Sequence, residues 1–220
     1  EPLPAGLALA AVGRDLAGRA LAELEPLFPV RRPGAPQGRL SAVLELGLSF
    51  KAGDRRGELR PAEAGLDGLP CLRELLSEAT VALGVASCLP QEGLSVICRR
   101  YTAGQGIAFH ADRRGLFAED VCGCVLRNTS DRALEFRRTG RGGEVLREWP
   151  LPEGPGLCFL QRGEVRYKWQ HGLRHLSRGE RVSVTWRWLP PRVLSGAAAP
   201  RPGRGGAAVE PRPAGKRSAL

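Results

Sequence analysis

Short β-rich runs separated by turn signals fill the chain from Gly93 onward, and this cadence does most to restrict the fold. The turns between the runs are rich in glycine and proline, as in Thr139–Gly143 and Pro152–Gly156. The runs are Leu94–Tyr101, Ile107–Asp112, Val121–Arg127, Ala133–Arg138, Gly156–Leu160 and Arg181–Leu189. Strands at this spacing are typical of a sandwich or a barrel.

The part of the chain before Gly93 carries helical patterns instead. One apolar stripe follows Asp15 and ends before Pro26, and a second precedes Gly84. The stripes consist of Leu16, Ala20, Leu21 and Leu24, and of Leu72, Leu75, Leu76, Ala79 and Leu83. Between them Ala42–Phe50 alternates like a half-buried strand, while Arg31–Gly38 and Lys51–Gly68 are expected to be loops. We therefore predict an α+β domain over residues 1–190, with two N-terminal helices packed on an antiparallel double-sheet core.

The net charge of +10 divides equally between this domain and a C-terminal tail. Residues 191–220 contain six basic side chains and one acidic side chain, and residues 1–190 contain 27 and 22. The tail is rich in Pro, Gly and Ala, so we expect it to be disordered. Because a GC-rich coding bias would also give 30 arginines to 3 lysines, the charge is weak evidence for a nucleic-acid partner.

Cysteine usage and hydropathy favour an intracellular protein that does not span a membrane. The six cysteines include no C-x-x-C pair, and Cys122 and Cys124 alternate within an apolar run, as buried strand residues do. No apolar run approaches the roughly 18 residues that cross a bilayer. We expect a cytoplasmic or nuclear location. The chain begins at Glu1 and has no methionine, so an organellar leader stays open as an alternative.

His110, Asp112 and His171 are the residues that point to chemistry. Alternation along a strand places His110 and Asp112 on one face, and His171 completes a two-histidine, one-carboxylate set if the fold returns it to them. Such a set can hold Fe(II) with positions open for a cosubstrate and O₂. His175, four residues after His171, lies in a polar stretch and is expected to be a surface histidine.

A second polar face follows on the strand Arg181–Leu189. Alternation places Arg181, Ser183, Thr185 and Arg187 on one side and apolar residues on the other. Guanidinium groups that converge on a barrel interior are costly unless they meet an anion, and they bind carboxylates in a planar, bidentate way. This face therefore suits a dicarboxylate such as 2-oxoglutarate.

With these motifs, residues 93–189 resemble the AlkB-like family of Fe(II)/2-oxoglutarate-dependent dioxygenases. The matching runs are RYTAGQGIAFHAD (100–112), GEVRYKWQHG (163–172) and RVSVTWR (181–187). The resemblance implies a double-stranded β-helix (jelly roll) with Fe(II) held by His110, Asp112 and His171. It also implies that Arg181 binds the distal carboxylate of 2-oxoglutarate with help from Tyr101 and Ser183, and that Arg187 lies nearer the metal-chelating end.

The chain departs from the family pattern at Arg99, where asparagine is common. Alternation places Arg99 on the same face as Tyr101, near the cosubstrate. An extra cation there either assists carboxylate binding or interferes with iron chelation.

The resemblance implies C–H hydroxylation coupled to conversion of 2-oxoglutarate and O₂ to succinate and CO₂, and oxidative demethylation of N-methylated bases in DNA or RNA is the leading interpretation. Arginine pairs at 99–100, 113–114 and 137–138 could follow a phosphate backbone, and Phe117, Trp149 and Trp169 could stack on a base. Two alternatives stay open. One is a demethylase or hydroxylase of protein side chains, and the other is a catalytically silent nucleic-acid-binding module on the same fold.

Overall fold

The computed structural model describes residues 2–29, 42–50, 59–61, 65–112 and 114–194. Its strands are β1 (Leu7–Ala11), β2 (Ala42–Phe50), β3 (Leu59–Pro61), β4 (Leu94–Thr102), β5 (Ile107–His110), β6 (Val121–Asn128), β7 (Glu135–Thr139), β8 (Val145–Pro150), β9 (Leu157–Gln161), β10 (Trp169–Leu173) and β11 (Glu180–Trp188). Its helices are α1 (Arg14–Leu24), α2 (Pro70–Ala82), α3 (Gly163–Lys168) and α4 (Pro191–Leu194), with a 3-10 turn at Glu25–Leu27.

The strands form two antiparallel sheets that face each other. The large sheet has the order β1-β9-β6-β11-β4-β2-β3, and the small sheet has the order β5-β10-β7-β8. Phe136 of the small sheet meets Phe159 of the large sheet edge to face, with ring centroids 6.2 Å apart. Val125, Trp149 and Trp169 belong to the same buried cluster. The predicted fold class, an α+β jelly roll with N-terminal helices, is confirmed.

The other face of the large sheet is covered by α1 and α2, as the sequence predicted. Their apolar stripes are buried because residues three and four apart share one side of a helix. Trp186 of β11 is fully buried against this layer, and its indole Nε1 donates to the Thr80 hydroxyl at 3.1 Å. Cys122 and Cys124 are buried on the same face, as expected for small strand residues. None of the helices in the described ranges is long and apolar enough to cross a membrane.

Several elements depart from the sequence prediction. The sequence did not predict β1, β3, β8, β10 or α3. Strand β3 lies within the expected loop Lys51–Gly68 and pairs with β2. The missed strands are short, lie at sheet edges or carry mixed side chains, so their alternation is weak. The expected loop Arg31–Gly38 lies outside the described residues. Residues 195–220 also lie outside them, so the disorder of the tail stays a prediction there, while its first residues form the short helix α4.

Gly123 on β6 has no room for a side chain. It lies opposite Phe159 of β9, and a Cβ at this position would overlap the Phe159 ring. We expect Gly123→Ala to lower the free energy of unfolding by about 1–3 kcal/mol, because the buried ring must shift. Gly18→Ala is the control. Its Cβ meets nothing within 4 Å in the middle of α1, so we expect a gain of up to about 1 kcal/mol. Urea denaturation distinguishes the two, and equal effects would contradict the packing argument.

Asp131 ties the segment after β10 to the segment after β6. Its carboxylate accepts hydrogen bonds from the Ser177 backbone N–H at 2.9 Å and from the Ser177 hydroxyl at 2.7 Å. The bond from the Ser177 hydroxyl is the main reason that the pKa of Asp131 is lowered to about 2.

A carboxyl whose pKa is lower in the folded than in the unfolded protein stabilises the fold above its unfolded pKa. The contribution of Asp131 is therefore complete above about pH 4 and is lost as the pH falls from about 4 to about 2. We expect Asp131→Asn to flatten this part of the stability profile, measured by urea denaturation between pH 2 and pH 6. An unchanged profile would show that the hydrogen bonds between Asp131 and Ser177 do not form in solution.

Candidate active site

The pairing of β5 with β10 brings His110 and His171 together. The two strands are antiparallel with His110 opposite His171, and the imidazole centroids are 4.5 Å apart. Asp112 lies two residues beyond the end of β5, so it does not continue the strand as the sequence predicted. The Asp112 carboxylate nevertheless lies on the side of the histidines. The three predicted metal ligands therefore meet at one point.

The donor atoms of these residues have the separation that one ion requires. The Asp112 Oδ1 atom is 3.8 Å from Nε2 of His110 and 3.9 Å from Nε2 of His171. One nitrogen or oxygen ligand atom from each residue lies within 4.8 Å of the others. Among the described residues, this group is the one whose geometry could hold a metal ion.

Hydrogen bonding and charge at the three residues also suit a metal. Nδ1 of His110 lies 2.8 Å from the carbonyl oxygen of Ala108, which can only accept, so Nδ1 is the donor and Nε2 is the nitrogen left to bind a metal. Burial lowers the pKa of His171 to about 4, which leaves this ring neutral at pH 7. Burial raises the pKa of Asp112, but the positive charge of Arg187 and weaker contributions outweigh it, so the net shift is downward and the carboxyl is ionised.

Two arginines donate hydrogen bonds to Asp112. Arg187 NH1 donates to Asp112 Oδ2 at 3.1 Å, which leaves Oδ1 facing the histidines. Arg166 of α3, only 2% exposed, donates to the backbone carbonyl of Asp112 at 3.1 Å. The Nε atoms of both arginines are buried and have no acceptor within the described ranges. Arg187 was predicted at the metal end of the site, and its side chain lies there. Arg166 was not predicted, because its contact depends on the path of α3.

The polar face of β11 lines a cavity of about 120 Å³ between the sheets. Arg181, Ser183, Thr185 and Arg187 all line it, as alternation predicted, while Val182 and Val184 pack towards the helices. The neighbouring strand β4 runs beside β11 with Tyr101 opposite Arg181 and Arg99 opposite Ser183. His110, Asp112 and His171 line the same cavity. The predicted metal ligands and the predicted cosubstrate residues thus line one cavity.

Arg181 already has a carboxylate partner, which sequence reasoning missed. Its Nε and NH2 groups donate to Glu153 at 2.6–3.0 Å, and its NH1 group donates to the Ser183 hydroxyl at 2.8 Å. The side chains of Arg181 and Glu153 are 3% and 1% exposed. Glu153 also accepts from the backbone N–H of Leu134 at 3.1 Å. A lone glutamate in the proline-rich turn before β9 gave no sequence signal for this buried pairing.

Other predicted residues are placed as follows. Arg99 lines the cavity, as its strand parity required. His175 is exposed and lies apart from the metal ligands, as expected for a surface histidine. Trp149 and Trp169 are buried in the core between the sheets, so they are not available to stack on a base. Phe117 lies beneath the Arg187 guanidinium, 4.4 Å from it.

The fold of this chain recurs among proteins of known structure. No protein-family model and no curated protein sequence matches the chain. Solved structures do match it, and one is the crystal structure of a Pseudomonas putida prolyl-4-hydroxylase. The two chains are 14% identical with a TM-score of 0.51, and the match covers 84% of this chain and 93% of the other. The likeness shows a shared fold.

Proposed function

We propose that this protein is an Fe(II)- and 2-oxoglutarate-dependent dioxygenase that hydroxylates a substrate C–H bond. The observation that carries the proposal is the meeting of a His110–Asp112–His171 set with guanidinium groups in one cavity. The fold shared with the Pseudomonas putida prolyl-4-hydroxylase supports it. So does the resemblance of the three motifs to the AlkB-like family, which names a narrower group within the same chemistry.

The residues present fit both bound groups. Two imidazoles and one carboxylate with open coordination positions are the ligand set of non-haem Fe(II) oxygenases. The cavity is lined by the three predicted metal ligands and also by the guanidinium and hydroxyl groups of β11, which can bind the carboxylates of a keto acid. The buried Nε atom of Arg187, which lines the cavity and has no acceptor within the described ranges, indicates a place where a carboxylate would relieve a desolvation cost.

The chain's own side chains then have separable tasks. Fe(II) held by His110, Asp112 and His171 would supply the O₂-dependent oxidation that converts 2-oxoglutarate to succinate and CO₂ and hydroxylates the substrate. Arg187 fixes Asp112 Oδ2 so that Oδ1 faces the metal position. Ser183 and Tyr101, beside Arg181, offer hydroxyl groups to the far carboxylate of the keto acid.

The exposure of the three ligands indicates where a substrate enters. The side chain of His110 is 38% exposed, whereas those of His171 and Asp112 are 15% and 11% exposed. We therefore propose that the substrate approaches from the His110 side, while the keto acid occupies the enclosed part of the cavity.

For the substrate, N-methylated bases in DNA or RNA are the first class to test. The AlkB-like motifs support it, and the net charge of +10 adds only weak support. Two features weigh the other way: the surface arginines Arg100 and Arg138 form ion pairs with Glu180 and Glu164, and the two tryptophans named above are buried. Paired arginines are poorer contacts for a phosphate backbone, since each must first leave its carboxylate.

Protein side chains are therefore the second class, supported by this mixed-charge surface and by the prolyl-4-hydroxylase that shares the fold. Succinate release can be compared between methylated and unmethylated oligonucleotides and between methylated and proline-containing peptides. Formaldehyde formed with succinate would identify a demethylation. Succinate without formaldehyde would identify a stable hydroxylation.

The cofactor part of the proposal has its own test. Anaerobic addition of Fe(II) and 2-oxoglutarate is expected to produce a weak visible charge-transfer band, and His110→Ala is expected to remove it. A well-folded wild-type protein without the band would refute the dioxygenase assignment. Salt-sensitive oligonucleotide binding by such a protein would instead identify a silent nucleic-acid-binding module.

A further inference from the structure

Strand β5 has a bulge directly before His110, the most exposed of the three predicted metal ligands. Between two aligned residue pairs, Ala108 and Phe109 of β5 lie opposite the single residue Gly172 of β10. A β-bulge inserts one extra residue into its strand, bends that strand and, beside an active site, can change the direction of a side chain. This bulge is therefore placed to set the direction of His110.

The bulge supplies the acceptor that orients the His110 ring. The carbonyl oxygen of Ala108 lies 2.8 Å from His110 Nδ1, and His110 Nε2 lies 3.8 Å from the Asp112 carboxylate. Metal-binding histidines commonly donate their second ring N–H to a carbonyl, and loss of such a partner typically lowers metal affinity by about 10–100-fold. The direction of Nε2 thus depends on where the bulge holds this carbonyl.

Phe109 packs the bulge against β10 at a residue that has no side chain. A Cβ on Gly172 would lie 2.8 Å from a carbon of the Phe109 ring and 2.9 Å from the Phe109 Cα atom. Carbon atoms pack best at about 3.5–4.0 Å, so this close approach needs glycine. The histidines next to these two residues line the cavity, so alternation places Phe109 and Gly172 on the outer face of the small sheet.

Arg137 of β7 covers the other side of the Phe109 ring. Its guanidinium carbon lies 3.9 Å from the ring centroid, which is a cation–π contact. Its Nε also donates to the side-chain oxygen of Gln170 on β10 at 3.0 Å. One arginine, one ring and one glycine therefore join β7, β5 and β10 on the outer face of the sheet.

We infer that Phe109 is a positioning residue for the metal: packed between Gly172 and Arg137, it holds the bulge whose carbonyl orients His110. The inference rests on the proposed function, which assigns His110 as a ligand. Without the ring, the Ala108 carbonyl loses its fixed place and the proton of the imidazole can move from Nδ1 to Nε2. A proton on Nε2 must leave before a metal binds there, so metal affinity falls.

Nitrogen-15 NMR of the full-length, metal-free protein at mildly alkaline pH tests the orientation directly. We expect wild-type His110 to carry its proton on Nδ1 and Phe109→Ala to shift a large part of it to Nε2, while exposed His175 serves as the internal reference. Titration calorimetry with Mn(II), which replaces Fe(II) without turnover, should show roughly tenfold to hundredfold weaker binding in Phe109→Ala. Phe109→Tyr keeps the ring and should stay near the wild type in both measurements.

Two further variants make the test specific. Gly172→Ala disturbs the same contact from β10 and should change both measurements in the same direction, so the inference stays testable if one variant does not fold. Leu146→Ala is the matched control, because it deletes a 60% exposed apolar side chain at a second bulge of the small sheet, in β8. Neither measurement should change in this control.

The outcomes separate the role of Phe109 from the function of the site. A folded Phe109→Ala protein with the wild-type proton position on His110 would overturn the inference, whether or not its Mn(II) affinity falls. Equal effects of Phe109→Ala and Leu146→Ala would also overturn it. A wild-type protein that does not bind Mn(II) would overturn the proposed function and the inference with it. If the wild type binds Mn(II), the variants decide the role of Phe109 alone.

Discussion

His171→Ala is expected to remove metal binding at the candidate active site and, with it, 2-oxoglutarate turnover. His171 sits opposite His110 on paired strands, and its Nε2 is 3.9 Å from Asp112 Oδ1. Without it, only one imidazole and one carboxylate remain as metal ligands. The Asp112 carboxylate is then held mainly by its ion pair with Arg187. We expect the affinity for Mn(II) to fall by at least about 100-fold, since even outer partners of metal ligands account for 10–100-fold. Calorimetry and succinate release measure the two effects.

His175→Ala is the matched control for this experiment, because it deletes the same side chain four residues later at an exposed position. Metal affinity and turnover should match the wild type. Circular dichroism and urea denaturation of His171→Ala check that the sheets remain folded. Metal affinity within about threefold of the wild type in a folded His171→Ala protein would refute the assignment of His171 as a ligand.

Glu153→Ala is expected to be the most destabilising of the substitutions considered. Arg181 would keep its charge at 3% exposure without the carboxylate that neutralises it, and the Leu134 N–H would lose its acceptor. Breaking a buried ion pair by removing one partner typically costs about 3–5 kcal/mol. That is a large share of the roughly 5–15 kcal/mol that stabilises a typical domain. Urea denaturation at neutral pH measures the loss.

Glu148→Ala provides the contrast at an exposed ion pair. Its carboxylate meets Arg174 at 2.8 Å, but the two side chains are 39% and 47% exposed. Exposed pairs contribute about 0–1 kcal/mol, so the free energies of unfolding lost in Glu153→Ala and Glu148→Ala should differ severalfold. Equal losses in the two variants would show that the Glu153–Arg181 pair is not buried in solution.

A ligand test then asks whether Arg181 also binds the keto acid. If 2-oxoglutarate stabilises Glu153→Ala more than it stabilises the wild type, Arg181 contacts the keto acid.

Period-two alternation made much of the site predictable. The polar wall of β11 and the place of Arg99 and Tyr101 on β4 depend only on which face a strand residue occupies, and this repeats locally along the chain. The same reasoning wrongly extended β5 to Asp112. The two residues that follow His110 leave the strand, yet the Asp112 carboxylate stays with the histidines.

The contacts between charged residues in the interior could not be predicted from local sequence patterns. Glu153 lies 28 residues before Arg181, and Arg166 lies 54 residues after Asp112, so no spacing along the chain indicates either contact. The same holds for the surface arginines, where Glu180 and Glu164 reach Arg100 and Arg138 from other elements. Pairs of adjacent arginines in the sequence therefore suggested a binding surface for a phosphate backbone. The ion pairs that these arginines form in the folded protein make that surface less suitable for phosphate.

The sequence by itself predicted an α+β double-sheet core, the three metal-capable residues and the side of each strand that faces the cavity, because hydrophobic alternation is a local property. The jelly-roll class came from the resemblance to the AlkB-like family. Only the tertiary structure decided how the cavity's charge is distributed. Coulomb interactions in a buried space depend on distance through the fold and not on separation along the chain. That distribution pairs Arg181 with Glu153 and Arg187 with Asp112, and it places Arg99 between them.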